Sequence, residues 1–580
     1  MATTGQSTPD VAIAGVYLEG VAKYLLHKFY GPDGPPWGTP LTQIEDLILA
    51  LQRALSQHCF TLALTQQAQR LPDAGRLCPT CGQPLSFSDP RTRSANTRAG
   101  LACWQEPTAH CLDCRRDCFP QSRSLGIDLS EFSPGLLRKV ISVGTRCRSF
   151  VEADDLLKEL LGLSLGPKQI ERLIHRIGQE RVDERDALTQ RFEELPLAEK
   201  FAVPPGVIPP DLGVIMTDGG RFQVRSRPQG GADAPDAPAV AEATKDEAAP
   251  AQKKAGHWRE DKVGLLLTMQ SKASDSDPCP VIPRAFVDPK RIPKLAREIR
   301  KQARQGEEAA EPSADPEADA EALEGGDKYE PPKPGQRKVV ASRIPWPRFA
   351  VVVAAAAWAL GFQGAKRKAF VGDGSDNNWE IQRRFFGSFV PILDFIHALS
   401  YVYAAAHAGR DRVLGWRLYC RWIKWVWGGE VGKVIEEMAV AQAELGLPEE
   451  PDGETHPRVI VAEALRYLSN HADKMKYAEY RKEGLPITSS LVESTVKQIN
   501  HRVKGTEKFW TEQGAEAILQ LRADQLSTDG TLDEFWERRQ QGATGQRTYR
   551  RRTRPHAAPR PRPRRRQAPR LASATKSIPD

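Results

Sequence analysis

The chain has no N-terminal signal sequence and no long uncharged apolar run. Its most apolar stretch, Phe349 to Leu360, falls short of the roughly 20 residues that a bilayer span needs and reads as a buried helix. These absences predict a soluble, intracellular protein with no membrane partner. Cysteine is scarce, ten in 580 residues, and clustered rather than spread. That argues against a disulfide framework and for metal binding in a reducing compartment. A single hydrophobic core is excluded by length, which calls for several domains.

Charge is unevenly distributed. The net value is +8, yet the tail from Gln546 to Asp580 holds eleven Arg and one Lys against one Asp. A segment from Glu307 to Glu330 holds ten acids and one Lys. Without these two segments the body carries about +6. A basic body with an Arg-rich tail suits an acidic polymer. The tail reads as a salt-sensitive DNA-binding arm, or otherwise as a solubilising extension.

In chain order, residues 1–75 read as helical. Ile44, Leu47, Ile48, Leu51 and Leu55 fall on one face, for packing or self-association. Residues 76–125 carry Cys78-x-x-Cys81 and Cys111-x-x-Cys114. Two such knuckles supply four thiolates for a closed, structural Zn²⁺ site on a zinc ribbon with a long hairpin. Cys103, His110 or Cys118 could replace one ligand. Residues 130–195 read as helices around the turn at Gly162–Gly166, with Pro167 opening the last. This is a helix-turn-helix-like unit, either DNA-reading through Lys168, Arg172 and Arg176 or merely structural.

From 205 the pattern turns to strands. Residues 212–217 form a buried run ending at Asp218, Gly219-Gly220 predicts a turn, and Arg221–Arg225 reads as the return strand. A third strand falls at 262–269 and a helix at 291–304. Residues 228–256 and 305–336 read as disordered loops. Helix 344–360 leads into a strand ending at Asp373, between glycines. Another helix and strand then lead to Asp394 and His397. Acids at the ends of neighbouring strands suit a divalent cation, although Asp and Gly also punctuate ordinary turns. Residues 401–483 read as an all-α insertion whose tryptophans either pack or stack on DNA. In 484–525, Thr488 or Ser489 can cap a helix that aligns Glu493, Lys497 and Asn500. Glu493 could join the aspartates, with Lys497, Arg502 and Lys504 on phosphates; the plainer reading is an exposed helix with a Glu–Lys pair. Residues 526–580 form a C-terminal segment ending in the tail. The order predicts a multidomain α/β protein with a ribonuclease-H-like core.

Several segments together resemble DDE transposases of bacterial insertion sequences, nearest the ISKra-type group related to Mutator-like transposases. They are MTDGGRFQVR around Asp218, EDKVGLL, VGDGSDNNW with Asp373, DFIHALSYVYAA with Asp394 and His397, GLPITSSLVESTVKQINHRVKG with Glu493, and LRADQLSTDGTLDEFW. The resemblance covers roughly residues 78 to 537. It implies a catalytic triad of Asp218, Asp373 and Glu493 binding Mg²⁺ or Mn²⁺. Asp394 and His397 match the family's D/CxxH motif, His397 orienting substrate or fixing the Asp394 loop. It further implies cleavage and strand transfer at element ends, double-stranded DNA as partner, a homodimer or higher oligomer on DNA, and a cytoplasmic, nucleoid-associated location in a bacterium. Ser490 stands where the family usually has glycine, Glu507 lies in a normally Gly/Ser-rich stretch, and the two low-complexity loops are insertions. These departures remove no triad acid. They keep two other expectations open: a catalytically inactive, domesticated DNA-binding protein, or a nuclease without strand transfer.

Overall fold

The structure, a computed structural model, describes residues 15–128, 131–225, 258–304, 330–505 and 508–545. The expected loop 228–256, most of the loop 305–336, Glu507 and the Arg-rich tail lie outside the described residues. The chain is mixed α/β and divides into two compact units, Met1–Pro134 with Gly542–Asp580, and Gly135–Gln541.

The first unit holds helices Gly15–Tyr30 and Leu41–Gln69 and an antiparallel sheet of β1 (Ser86–Thr97), β2 (Gly100–Cys111) and β3 (Arg116–Cys118). The long β1–β2 hairpin closes tightly. Thr97 Oγ1 donates to Gly100 O at 2.7 Å, and Gly100 takes φ +110°, which favours glycine. Buried Glu106 on β2 accepts from Ser122 N and Oγ and lies 3.3 Å from Arg93 Nε, so its charge is matched. Helix Leu41–Gln69 has no buried residue, although Phe60 and Leu64 pack partly against Ala95, Ala102 and Trp104. Ile48 and Leu55, on the apolar face read from the sequence, remain exposed. Among the described residues this is the one helix long and apolar enough to cross a membrane by length and composition. Trp346–Ala359 is apolar but shorter, and mostly buried as expected.

The second unit is built on a sheet ordered β6-β5-β4-β7-β8. Its strands are β4 (Leu212–Val224), β5 (Trp258–Gln270), β6 (Lys333–Ser342), β7 (Arg367–Gly372) and β8 (Val390–Leu393). A two-residue β9 (Phe509–Trp510) pairs with the end of β4. β4, β5 and β6 are antiparallel; β7 and β8 run parallel to β4.

Two expectations are corrected here. Gly219-Gly220 does not turn the chain. β4 runs straight through, with Gly219 opposite Lys262 and Gly220 opposite Asp261. Gly220 is there for space: a Cβ would sit 2.7 Å from Asp261 Oδ1 and 2.9 Å from Asn500 Nδ2. Second, residues 333–336, assigned to a loop, begin β6. Their Pro, Gly and polar residues read as loop, but this is an edge strand, where proline is tolerated and pairing to β5 fixes the backbone.

Helix Trp346–Ala359 packs on β5 and β6, and Ser490–Val503 packs on β4 and β5. Glu512–Leu526 lies against β6 and against Pro167–Glu194. Helices Pro134–Arg146, Phe150–Leu161 and Pro167–Glu194 form where the sequence places them, Ser149 Oγ capping the second at 3.0 Å. They belong to the same unit as the sheet. Arg181 makes a buried ion pair with Asp524 at 2.8 Å, which joins Pro167–Glu194 to Glu512–Leu526. The expected helical insertion follows Phe395–His407 as Arg412–Trp427, Val431–Leu445, Pro457–His471 and Tyr477–Lys482.

Candidate functional site

The register of the parallel strands builds the site. Met216 of β4 pairs with Val371 of β7, and Gly372 of β7 pairs with Leu393 of β8. Asp218 and Asp373 each lie two residues past the first pair, and Asp394 one past Leu393. Asp373 and Asp394 therefore follow the carboxyl ends of β7 and β8, with Asp218 level with Asp373 on β4, which itself continues to Val224; open α/β sheets place their ligands at such an edge. Glu493 comes from the first turn of Ser490–Val503, a position that favours an acid.

The site is strongly electrostatic. Asp218 is pushed up to about 8, first by burial, then by the charges of Asp373 and Glu493. Its Oδ1 accepts the local Gly219 N–H at 2.7 Å. His397 behaves oppositely. Burial disfavours its charge, but the bond to Asp394 and the charges of Asp394, Glu493 and Asp373 outweigh this and push it up to about 10. His397 Nδ1 lies 3.0 Å from Asp394 Oδ2 and 3.9 Å from Glu493 Oε1. Holding Nδ1 leaves Nε2 as the ring nitrogen available to a substrate.

Supporting groups fix the acids. Asp394 is fully buried and accepts from Ile396 N at 2.8 Å and from Ser489 Oγ at 2.5 Å. The Ser489 hydroxyl therefore serves Asp394 and does not cap its own helix, correcting the capping expectation. Asp373 Oδ1 accepts from Ser375 N at 3.0 Å and from Asn378 Nδ2 at 2.8 Å. Asn378 Oδ1 in turn accepts from Thr217 Oγ1 at 2.5 Å, beside Asp218. From the insertion, Tyr467 OH donates to Asp373 O at 2.7 Å, and its ring fills the place where a Gly374 side chain would stand. The sequence offers Ser489 only as a helix cap and assigns no role to Thr217, Asn378 or Tyr467. Only Asn378 and Thr217 carry a signal, as polar residues next to the candidate acids.

The donor set suits a hard cation. The charges of Asp373 and Glu493 both act on Asp218, a repulsion that a proton or a divalent ion would relieve. Asp394, His397 and Glu493 bring ligand atoms within 4.8 Å of one another, a group that does not include Asp218 or Asp373. The bonds from Ile396, Ser489 and His397 already occupy Asp394, so it acts as the group that orients His397.

The four-cysteine cluster is separate. Cys78, Cys81, Cys111 and Cys114 hold their sulfurs within 4.8 Å of one another, an arrangement that could hold a metal such as zinc. The backbone N–H groups of Cys81 and Thr80 pull the Cys78 thiol down to about 6. The Cys81 thiol and burial push Cys114 up to about 12. Thiols split in this way become four thiolates only with a cation among them. Of the alternative ligands, His110 bonds Asp117 at 2.9 Å and lies outside the cluster, as does Cys103, while Cys118 packs beside it.

The expected phosphate-binding cations divide. Lys168 and Arg172 are exposed, Lys168 pairing with Glu171 at 2.9 Å. Arg176, Lys497 and Lys504 are half-buried. Arg502 is a correction. It is 2 % exposed, donates to Gly144 O and Arg148 O, and lies between the rings of Phe150 and Trp510. Its guanidinium is committed to the fold and faces no solvent from which a phosphate could approach. No protein-family model matches this chain, and no curated protein matches it.

Proposed function

We propose that the chain is a metal-dependent DNA-processing enzyme, a DDE-type transposase that cleaves and joins the ends of an insertion sequence. The observation that carries this is the electrostatic grouping of Asp218, Asp373 and Glu493 beside His397, which Asp394 holds. The sheet order supports a ribonuclease-H-like core: three antiparallel strands, then two parallel ones beside the first.

Asp218, Asp373 and Glu493 would hold Mg²⁺ or Mn²⁺, which when bound polarises the phosphate and activates the attacking oxygen. The chain's own residues do the rest. Asn378 and Ser375 both bond Asp373 Oδ1 and so fix the carboxylate in place. The His397 imidazolium, set by Asp394 and Ser489, presents a positive N–H to a phosphate oxygen and can give a proton to a leaving oxygen at Nε2. The Cys78, Cys81, Cys111 and Cys114 cluster would hold structural Zn²⁺.

The test uses purified protein and DNA carrying both flanks of its own gene, with Mg²⁺. Nicking at the element ends by wild type, lost in Asp373→Asn while DNA binding is kept, is the expected result. Binding by both without cleavage by either would show a DNA-binding protein without the chemistry. Cleaved ends that never join a target would leave a nuclease.

A further inference from the structure

Helix Arg412–Trp427 carries four tryptophans, and the structure divides them. Trp422 and Trp427 are buried. Trp422 Nε1 donates to Glu437 at 2.6 Å, Trp427 Nε1 donates to Cys279 O at 2.8 Å, and the Trp427 ring meets Phe395 at 5.1 Å. Packing accounts for these two. Trp416 and Trp425 are half-buried, at the margins of the exposed side of the helix. They border a shallow cavity of about 380 Å³ that is also lined by Arg417, Arg421 and Lys424.

Helical spacing explains the arrangement. At 100° per residue, Trp416 and Trp425 lie on opposite edges of one face, about 13 Å apart along the axis, with the three cations between them. The rings are held in place. Trp416 leans on buried Tyr419 at 5.2 Å, and the Arg421 guanidinium lies 5.4 Å above the Trp425 ring. Arg421 also pairs with Glu437, but Arg417 and Lys424 make no ion pair among the described residues. No Asp or Glu occurs between Arg412 and Trp427, and Asp411 is engaged as the N-cap.

A solvated helix face explains the cations but not two half-buried indoles that border the same cavity. An indole face with flanking guanidinium and ammonium groups matches a nucleobase between its phosphates. A duplex keeps its base faces stacked inside, whereas an unpaired strand offers them. We propose that this face binds unpaired DNA, Trp416 and Trp425 each stacking on a base while Arg417 and Lys424 take the adjacent phosphates. The proposal rests on the reading that DNA is the substrate and adds where an unpaired segment is held.

The test photocrosslinks the full chain to a single strand carrying 5-iododeoxyuridine and maps the adducts by mass spectrometry. Adducts on Trp416 or Trp425 are expected. Trp416→Leu with Trp425→Leu should weaken single-strand binding about 10- to 100-fold at fixed salt, with duplex binding and melting temperature little changed. Arg417→Gln with Lys424→Gln should lower the salt slope of single-strand binding by about 1 to 2. Adducts confined to other segments, or equal losses on duplex and single strand, would overturn the proposal. Nicking lost in Asp373→Asn would then leave the enzymatic reading standing, so the two ideas fail separately.

Discussion

At the scale of single residues, the candidate site depends on groups that touch no substrate. Asn378 links Thr217, beside Asp218, to the carboxylate of Asp373. Asn378→Ala frees Asp373 to rotate, and misplacement of this kind costs about 10- to 100-fold in rate. We expect that loss in single-turnover nicking, with unchanged DNA affinity and weakened Mn²⁺ binding by titration calorimetry. Asp261 is a second case. It is fully buried, its carboxylate finds no partner among the described residues, and burial pushes it up to about 6. A folded-state value above the ordinary 3.8 means that the folded chain favours the protonated form. The stability so gained is full below about pH 4 and is lost as pH rises through about 6. Asp261→Asn should remove this dependence and raise stability at pH 8 by up to about 3 kcal/mol. Urea midpoints at pH 4.5 and 8 check it; a wild-type profile parallel to the variant's would refute the assignment.

At the scale of elements, close crossings decide which helices can pack. Helix Pro167–Glu194 meets Glu512–Leu526 at Gly178, where a Cβ would fall 2.6 Å from Ala517 O. Backbone cannot yield as a flexible side chain can, so Gly178→Ala should destabilise by about 1–3 kcal/mol, read as a lowered denaturant midpoint. Arg181 with Asp524 and Arg185 with Glu516 hold the same pair of helices. The three helices that the sequence separates as a DNA-reading unit thus include one fastened along its length to the core. The insertion also reaches the site as an element, through Tyr467 on the Asp373 loop and its stack on Tyr401 at 3.9 Å.

At the scale of the whole molecule, each of the two units carries its own cluster of candidate metal ligands. The three-stranded unit has a small core, and a metal held by its four-cysteine cluster would add the stability that such a core lacks. Purified protein should contain about one zinc per chain by elemental analysis. Cys111→Ser or a strong chelator should remove it and melt the first unit while leaving the far-UV signal of the second. Retention of that melting transition without zinc would show that the cysteines are not a metal site.

The sequence by itself determined the features that repeat or cluster locally. Paired CxxC knuckles, the buried runs of β4 and β7, Pro167 at a helix start, and the helices of the insertion all follow from side-chain type and spacing over a few residues. The candidate acids were legible as well, because Asp218 and Asp373 follow buried apolar runs and Asp394 and Glu493 fall at helix starts. Tertiary structure alone decided the rest. Gly219-Gly220 reads as a turn until β5 places Asp261 opposite Gly220, which makes the missing side chain a matter of space. β6 becomes a strand only because β5 lends it hydrogen-bonding partners. Arg502 reads as a phosphate ligand until Phe150 and Trp510 close over it. Ser489 and Asn378 acquire roles only when segments far apart in the chain meet. Local propensity is written along the chain, whereas burial, pairing and the partner of each polar group depend on which distant segment arrives beside it.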